Sequence, residues 1–244
     1  MAPHPDRPAP PAVTVRRAAD RASTETAGRR THHAFSFGSH YDPANVSFGA
    51  LQVLNDDTVA PGHGYPEHPH VGTEIVTWVL DGGLRHADTT GHGGLVVPGQ
   101  VQRLSSGTGI RHTETCDAGA ARSVRFVQMW LRPDDPDLPP SYATREVGDD
   151  LAAGDLVPVL GGGAAVGLGT TGATLHVARS DRPRTVALPD APRTQVFLAR
   201  GEGDLEGVGA LGTGDEVRLT DAGGPGGRSL RLGAGAEVLV WTFA

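Results

Sequence analysis

The sequence predicts an all-β protein built from two β-barrels. Three observations predict it. Short apolar runs of strand length recur along the chain, and each is broken by Gly, Pro or Asp. Gly 35 and Pro 19 among 244 residues punctuate these runs, leaving no long helical period. The runs fall into two sets, one on each side of the proline-rich stretch RPDDPDLPPSYATREV.

Residues 1–30, rich in Pro, Ala, Arg and Thr, read as a flexible arm. Within it, AVTVRR is expected to lay one edge strand on the body. Residues 31–131 read as the first barrel, with strands at FGALQVLND, EIVTWVLDG, GLRHADT, GGLVVPG, VQRLSSG and VRFVQMWLR. Residues 132–147 read as a linker. Residues 148–244 read as a second barrel, with strands at LVPVLGG, AAVGLG, TLHVARS, RTVALPD, TQVFLARGEGDLEG, DEVRLTD, SLRLGAG and AEVLVWTF. Strands of this length separated by turn residues such as Asp81-Gly82-Gly83 predict closed or nearly closed antiparallel architecture.

Charge narrows the function. With 28 acidic and 21 basic residues the chain is acidic, at −7, and has no Lys/Arg block to grip a phosphate backbone. Its few aromatics lack basic interleaving, so direct nucleic-acid binding is not expected. RLSSGTGIRH is glycine-rich but lacks the lysine of a phosphate loop. No run of about 18 apolar residues predicts a membrane span. The N-terminal text has no apolar signal core, so the cytoplasm is expected by default. The single cysteine, Cys116, excludes an internal disulfide framework and reads as a small core filler or a neighbour of the site.

Of 11 histidines, nine lie between His32 and His112, and the second set of strands holds only His176. If one barrel carries a metal, it is the first. In EHPHVGTE, His68 and His70 share a face of an extended segment, because strand side chains repeat with period two. Pro69 favours that extended backbone at His68. In GIRHTETC, His112 and Glu114 share a face in the same way. The 42 positions from His70 to His112 let the chain leave and return on a neighbouring strand. Three imidazoles and one carboxylate suit a divalent transition metal: Fe, Mn, Co, Ni, Cu or Zn. Four such ligands on an octahedral ion leave two positions for substrate and O2. Glu74, four positions beyond His70, competes with Glu114 as the carboxylate. His32, His33, His40, His63, His86 and His92 read as rim or turn residues.

From His32 onward the chain resembles the pirin family of bicupins. The resemblance is carried by HHAFSFGSHYDP, FGALQVLNDDTVAPGHGYPEHPHVGTEIVTWVLDG, HADTTGHGG, PGQVQRLSSGTGIRHTE and VRFVQMWL, and distantly by AEVLVWTF. It implies two jelly-roll-like cupin barrels face to face, with one metal, commonly Fe2+, in the N-terminal barrel. The family's ligands fall on His68, His70, His112 and Glu114. A general cupin pattern would place a glutamate ligand at Glu74 and a histidine shortly after Pro98-Gly99. Gln102 stands at the latter, a pirin-like departure, which makes Glu114 the ligand and Glu74 a supporting residue. Val71 stands where pirin-like sequences often carry arginine, so any contact that arginine would make is missing. The second barrel has no ligand set.

Some pirin-like proteins cleave flavonols such as quercetin with O2. The resemblance therefore implies a small aromatic chelating substrate, with Glu114 as ligand and proton acceptor. Other pirin-like proteins are metal-binding, redox-responsive regulators that bind protein partners. An oxygenase acting on a non-flavonol is a third reading. Oligomeric state is not legible.

Overall fold

The computed structural model describes residues 13–220 and 228–244; residues 1–12, the start of the expected arm, lie outside them. The first half runs through β1 (Val13–Arg16), a single 3-10 turn, β2 (Ala22–Thr26), β3 (Arg29–His33), β4 (Leu51–Val59), β5 (Gly64–His70) and β6 (Glu74–Asp81). It continues through β7 (Leu84–Asp88), β8 (Gly93–Val96), β9 (Gln100–Ser105), β10 (Ile110–Thr115), β11 (Val124–Leu131) and β12 (Ser141–Glu146). The second half comprises β13 (Val157–Gly161), β14 (Ala173–Ser180), β15 (Arg184–Ala187), β16 (Arg193–Arg200) and β17 (Glu202–Leu205). It ends with β18 (Gly209–Gly212), β19 (Glu216–Thr220), β20 (Ser229–Leu232) and β21 (Ala236–Phe243). Among the described residues no helix is long and apolar enough to cross a membrane.

Each half forms one large and one small antiparallel sheet. The first half has the order β12-β9-β6-β11-β4-β3-β2 in its large sheet and β5-β10-β7-β8 in its small one. The second has β1-β19-β16-β21-β14-β13 and β15-β20-β17-β18. This is the all-β bicupin architecture.

The long strands EIVTWVLD and VRFVQMWL are apolar almost throughout because both of their faces are buried. Val76, Trp78, Leu80, Val127, Met129 and Leu131 point away from the first barrel's interior. They join Leu175, Val177, Phe197, Leu239 and Trp241 of the second barrel in one apolar cluster. The alternate residues point inward, and here the two barrels differ. The second interior is filled by aliphatic side chains such as Val186, Val196, Leu198, Leu219, Leu230 and Val238. The first has apolar plugs around Phe126 and around Ile75. It also holds the buried polar residues Asn55, Asp57, Thr77, His86, Gln102, His112, Glu114 and Gln128. Buried polar groups need partners, so this interior is built for hydrogen bonds or for a ligand.

Several expected boundaries shift. β1 does add an edge strand, but to the second barrel's sheet, pairing Val13 with Leu219 and Arg16 with Glu216. Residues 22–30, expected in the arm, form β2 and the start of β3 at the edge of the first large sheet. The polar sequences ASTET and RRTHH hide this, because edge strands bury little. The expected linker contains β12, which pairs with β9 at the opposite edge. AAVGLG is a turn rather than a strand, closed by a hydrogen bond from Gly161 N to Val166 O.

Candidate metal centre

The small sheet of the first barrel assembles the cluster. β10 lies between β5 and β7, with His112 opposite His68 on one side and Glu114 opposite His86 on the other. β5 is an edge strand, so Pro66 and Pro69 cost no ladder bonds on its open side. Its register slips between His112 and Glu114, placing an extra residue at Pro66–Glu67. The slip frees the Pro66 carbonyl to accept a hydrogen bond from His68 Nδ1 at 2.8 Å. Since a carbonyl only accepts, His68 carries its proton on Nδ1 and offers the Nε2 lone pair. Gly64 has no room for a side chain, because a Cβ there would fall 2.2 Å from the Glu114 carbonyl oxygen.

The three imidazoles converge. Ring centroids lie 4.9 Å apart for His68 and His70, 4.4 Å for His68 and His112, and 5.0 Å for His70 and His112. Their ligand nitrogens all fall within 4.8 Å of one another. A second, fully buried trio shares His112: His86, His112 and Glu114. His86 Nε2 donates to Asp88 Oδ2 at 3.0 Å, leaving His86 Nδ1 to accept from His112 Nδ1 at 3.5 Å. That chain leaves the His112 Nε2 lone pair facing the cluster. Gln128 Nε2 donates to Glu114 Oε2 at 2.7 Å.

What these partners leave free fits a metal. His70 Nε2, His112 Nε2 and Glu114 Oε1 are all buried with no hydrogen-bond partner. A buried polar atom without a partner costs free energy unless something fills its lone pair. Burial and the neighbouring His68 push His70 down to about 4. Burial, His68 and His70 push His112 down to about 3. Burial pushes the Glu114 carboxyl up to about 7. Two of the imidazoles are therefore already neutral, the form that ligates. Imidazole nitrogens gathered in this way, with a carboxylate beside His112, suit a divalent transition metal.

The pirin family model matches residues 14–131. A protein of Mycobacterium tuberculosis, provisionally named as a quercetin 2,3-dioxygenase, is 47% identical over 233 residues, with 94% of each chain covered. The chain belongs to the pirin family. An Escherichia coli protein named quercetin 2,3-dioxygenase is 37% identical over 133 residues, 54% of this chain and 57% of that one. Among solved structures, the E. coli bacterial pirin YhhW in complex with nickel(II) matches with a TM-score of 0.82 at 27% identity, covering 95% of this chain and 98% of that one.

In this pirin the structure brings His68, His70 and His112 into one cluster, and Glu114 joins His86 and His112 in a second that shares His112. Glu74 is a correction. The turn at Val71–Thr73, with Gly72 at φ 60°, separates β5 from β6, so the period of two does not carry from His70 to Glu74. Glu74 shares the outward face of β6 with Val76 and Trp78. Its carboxylate sits against Gly169 of the second barrel, where a Cβ would come within 2.8 Å of Oε1. His86 and His33 are also corrections, since both are buried rather than at a rim. His33 is held by Asn55 at 2.9 Å and by Thr24 at 2.8 Å. Sequence reading missed Gln128 and Trp130. The available signal was a glutamine between Phe126 and Trp130 on one face of the strand VRFVQMWL.

Proposed function

We propose that this pirin is a metal-dependent dioxygenase that opens a flavonol such as quercetin with O2, holding Fe2+ through His68, His70, His112 and Glu114. The observation that carries the reading is the cluster of His68, His70 and His112, with unpartnered nitrogens on His70 and His112 and with Glu114 beside His112 in an adjoining cluster. The relatives' names support the substrate class. Such a metal, when bound, supplies a Lewis acid that makes a chelating hydroxyl more acidic.

The chain's own groups do the rest. Trp130 packs nearly perpendicular to His70, ring centroids 4.9 Å apart, and forms an apolar wall beside the cluster. Glu114 Oε1, buried without a hydrogen-bond partner, would accept the substrate's hydroxyl proton.

The test loads the protein anaerobically with Fe2+ and offers quercetin, or a flavone lacking the 3-hydroxyl. Carbon monoxide release matched to O2 consumption is expected from quercetin alone. If fully loaded protein releases no carbon monoxide from any flavonol, the dioxygenase reading fails, and the metal-dependent regulator takes its place.

A further inference from the structure

Inside the first barrel, Gln128 lies outside the ligand set but links two residues beside it, Trp130 and Glu114. An indole N–H can only donate, and Trp130 Nε1 donates to Gln128 Oε1 at 3.0 Å. That decides how the Gln128 amide sits. Its oxygen faces Trp130, so its nitrogen must face the other way, where it meets Glu114 Oε2 at 2.7 Å. Gln128 and Glu114 are both buried, so no solvent competes for these bonds. This chain of hydrogen bonds occupies one carboxylate oxygen and leaves the other, Oε1, buried and without a partner.

We propose that Gln128, locked by Trp130, is a positioning residue that makes Oε1 the single metal-facing oxygen of Glu114. The proposal rests on the ligand set argued above but on no substrate. A carboxylate with both oxygens free can swing or take an ion with both. One tied at Oε2 offers a single lone-pair direction. Trp130 bears on both ligands: its ring packs at a steep angle against His70 and its N–H acts through Gln128 on Glu114. β11 makes this possible because Gln128 and Trp130, two residues apart, share its inward face. An amide serves here because it accepts on one side and donates on the other without charge.

Three variants test it. Gln128→Met keeps the side chain's length and removes both hydrogen bonds. Trp130→Phe keeps a ring against His70 and removes the N–H that locks the amide. Gln52→Met, at an exposed position of β4, is the control. Ni(II) and Co(II) affinities are read by competition with a chromophoric chelator, the Co(II) forms by visible absorption, and the metal-free proteins by thermal unfolding. Gln128→Met is expected to bind about 10–100-fold more weakly, the usual cost of losing a ligand's outer partner. Trp130→Phe should lose less. Both should show an altered Co(II) spectrum, which a purely stabilising role would not produce, and Gln52→Met should match wild type. Wild-type affinity and spectrum in both Gln128→Met and Trp130→Phe overturn the proposal. Should Gln128→Met not fold, the spectrum of Trp130→Phe decides. A wild-type protein that binds neither ion removes the ligand set itself, and the proposal with it.

Discussion

Trp78 of the first barrel donates its indole N–H to Glu237 of the second at 2.6 Å, and both side chains are buried. Arg179 reaches the same carboxylate with two nitrogens, at 3.2 and 3.1 Å. Trp241 crosses in the other direction, its indole nitrogen 3.1 Å from Met129 Sδ. These contacts lie in an apolar cluster drawn from both barrels, so neither barrel can leave without exposing it. Heat should therefore unfold the protein in one calorimetric transition. Trp78→Phe removes a hydrogen bond to a charged group and part of a packed ring, at a cost of about 2–4 kcal/mol. For a chain of this size that lowers Tm by roughly 5–15 °C. Two resolved transitions in wild type would refute the shared core.

Asp57 predicts a pH effect with a definite sign. Thr31 and Tyr65 both donate to its Oδ1, Tyr65 at 2.7 Å, while Oδ2 is buried without a partner. Burial pushes this carboxyl up to about 6. The folded state thus holds the proton more tightly than the unfolded chain does. Stability from this group is greatest at low pH and is lost as pH rises from about 4 to about 6. Asp57→Asn cannot ionise. Wild type should lose about 3 kcal/mol relative to the variant across that window and stay parallel to it above. Urea unfolding of both proteins at several pH values measures this, and a difference independent of pH counts against it.

Cys116 follows Glu114 by two positions and shares its face, yet it belongs to the apolar plug with Val59, Val79, Leu84, Val124 and Phe126. Its thiol is buried. A thiol reagent should label it only as fast as the barrel opens, and labelling should accelerate steeply in denaturant. Rapid labelling of native protein would place it at an accessible site instead.

The two-barrel plan was legible because turn residues bracket most strands and because nine histidines crowd one half of the chain. HPH and HTE were legible because period two holds inside β5 and inside β10. Period two failed between them and β6, where Gly72 reverses the chain and sends Glu74 to the interface with the second barrel. Strands β2, β3 and β12 were illegible because they sit at or beside sheet edges and carry polar sequences. His86 could not be told from a rim histidine by spacing. Its role depends on Asp88 accepting a hydrogen bond from Nε2–H and on β7 lying beside β10, and the second of these is a property of the sheet order.

Glu114 and Glu74 make opposite predictions. Glu114 Oε1 faces the cluster without a partner, whereas Glu74 lies on the outward face of its strand. Glu114→Gln should weaken metal binding by more than the ~10–100-fold expected for an outer partner. Glu74→Gln should leave affinity unchanged. Proton release separates lost charge from lost shape. A carboxyl near 7 in the metal-free protein must ionise to ligate. Wild type should then release more protons on binding than Glu114→Gln at pH 6, and the difference should shrink as pH rises through neutrality. Affinity in wild type should rise with pH and level off above about 8, as the carboxyl finishes ionising. Calorimetry in buffers of different ionisation enthalpy counts these protons directly. Turnover must then be compared at matched metal occupancy, because loss of metal imitates loss of a base. If Glu114→Gln releases as many protons as wild type and binds as tightly, Glu114 is neither ligand nor proton acceptor. If instead it binds weakly but turns over normally once loaded, the ligand role stands and the proton passes to another group.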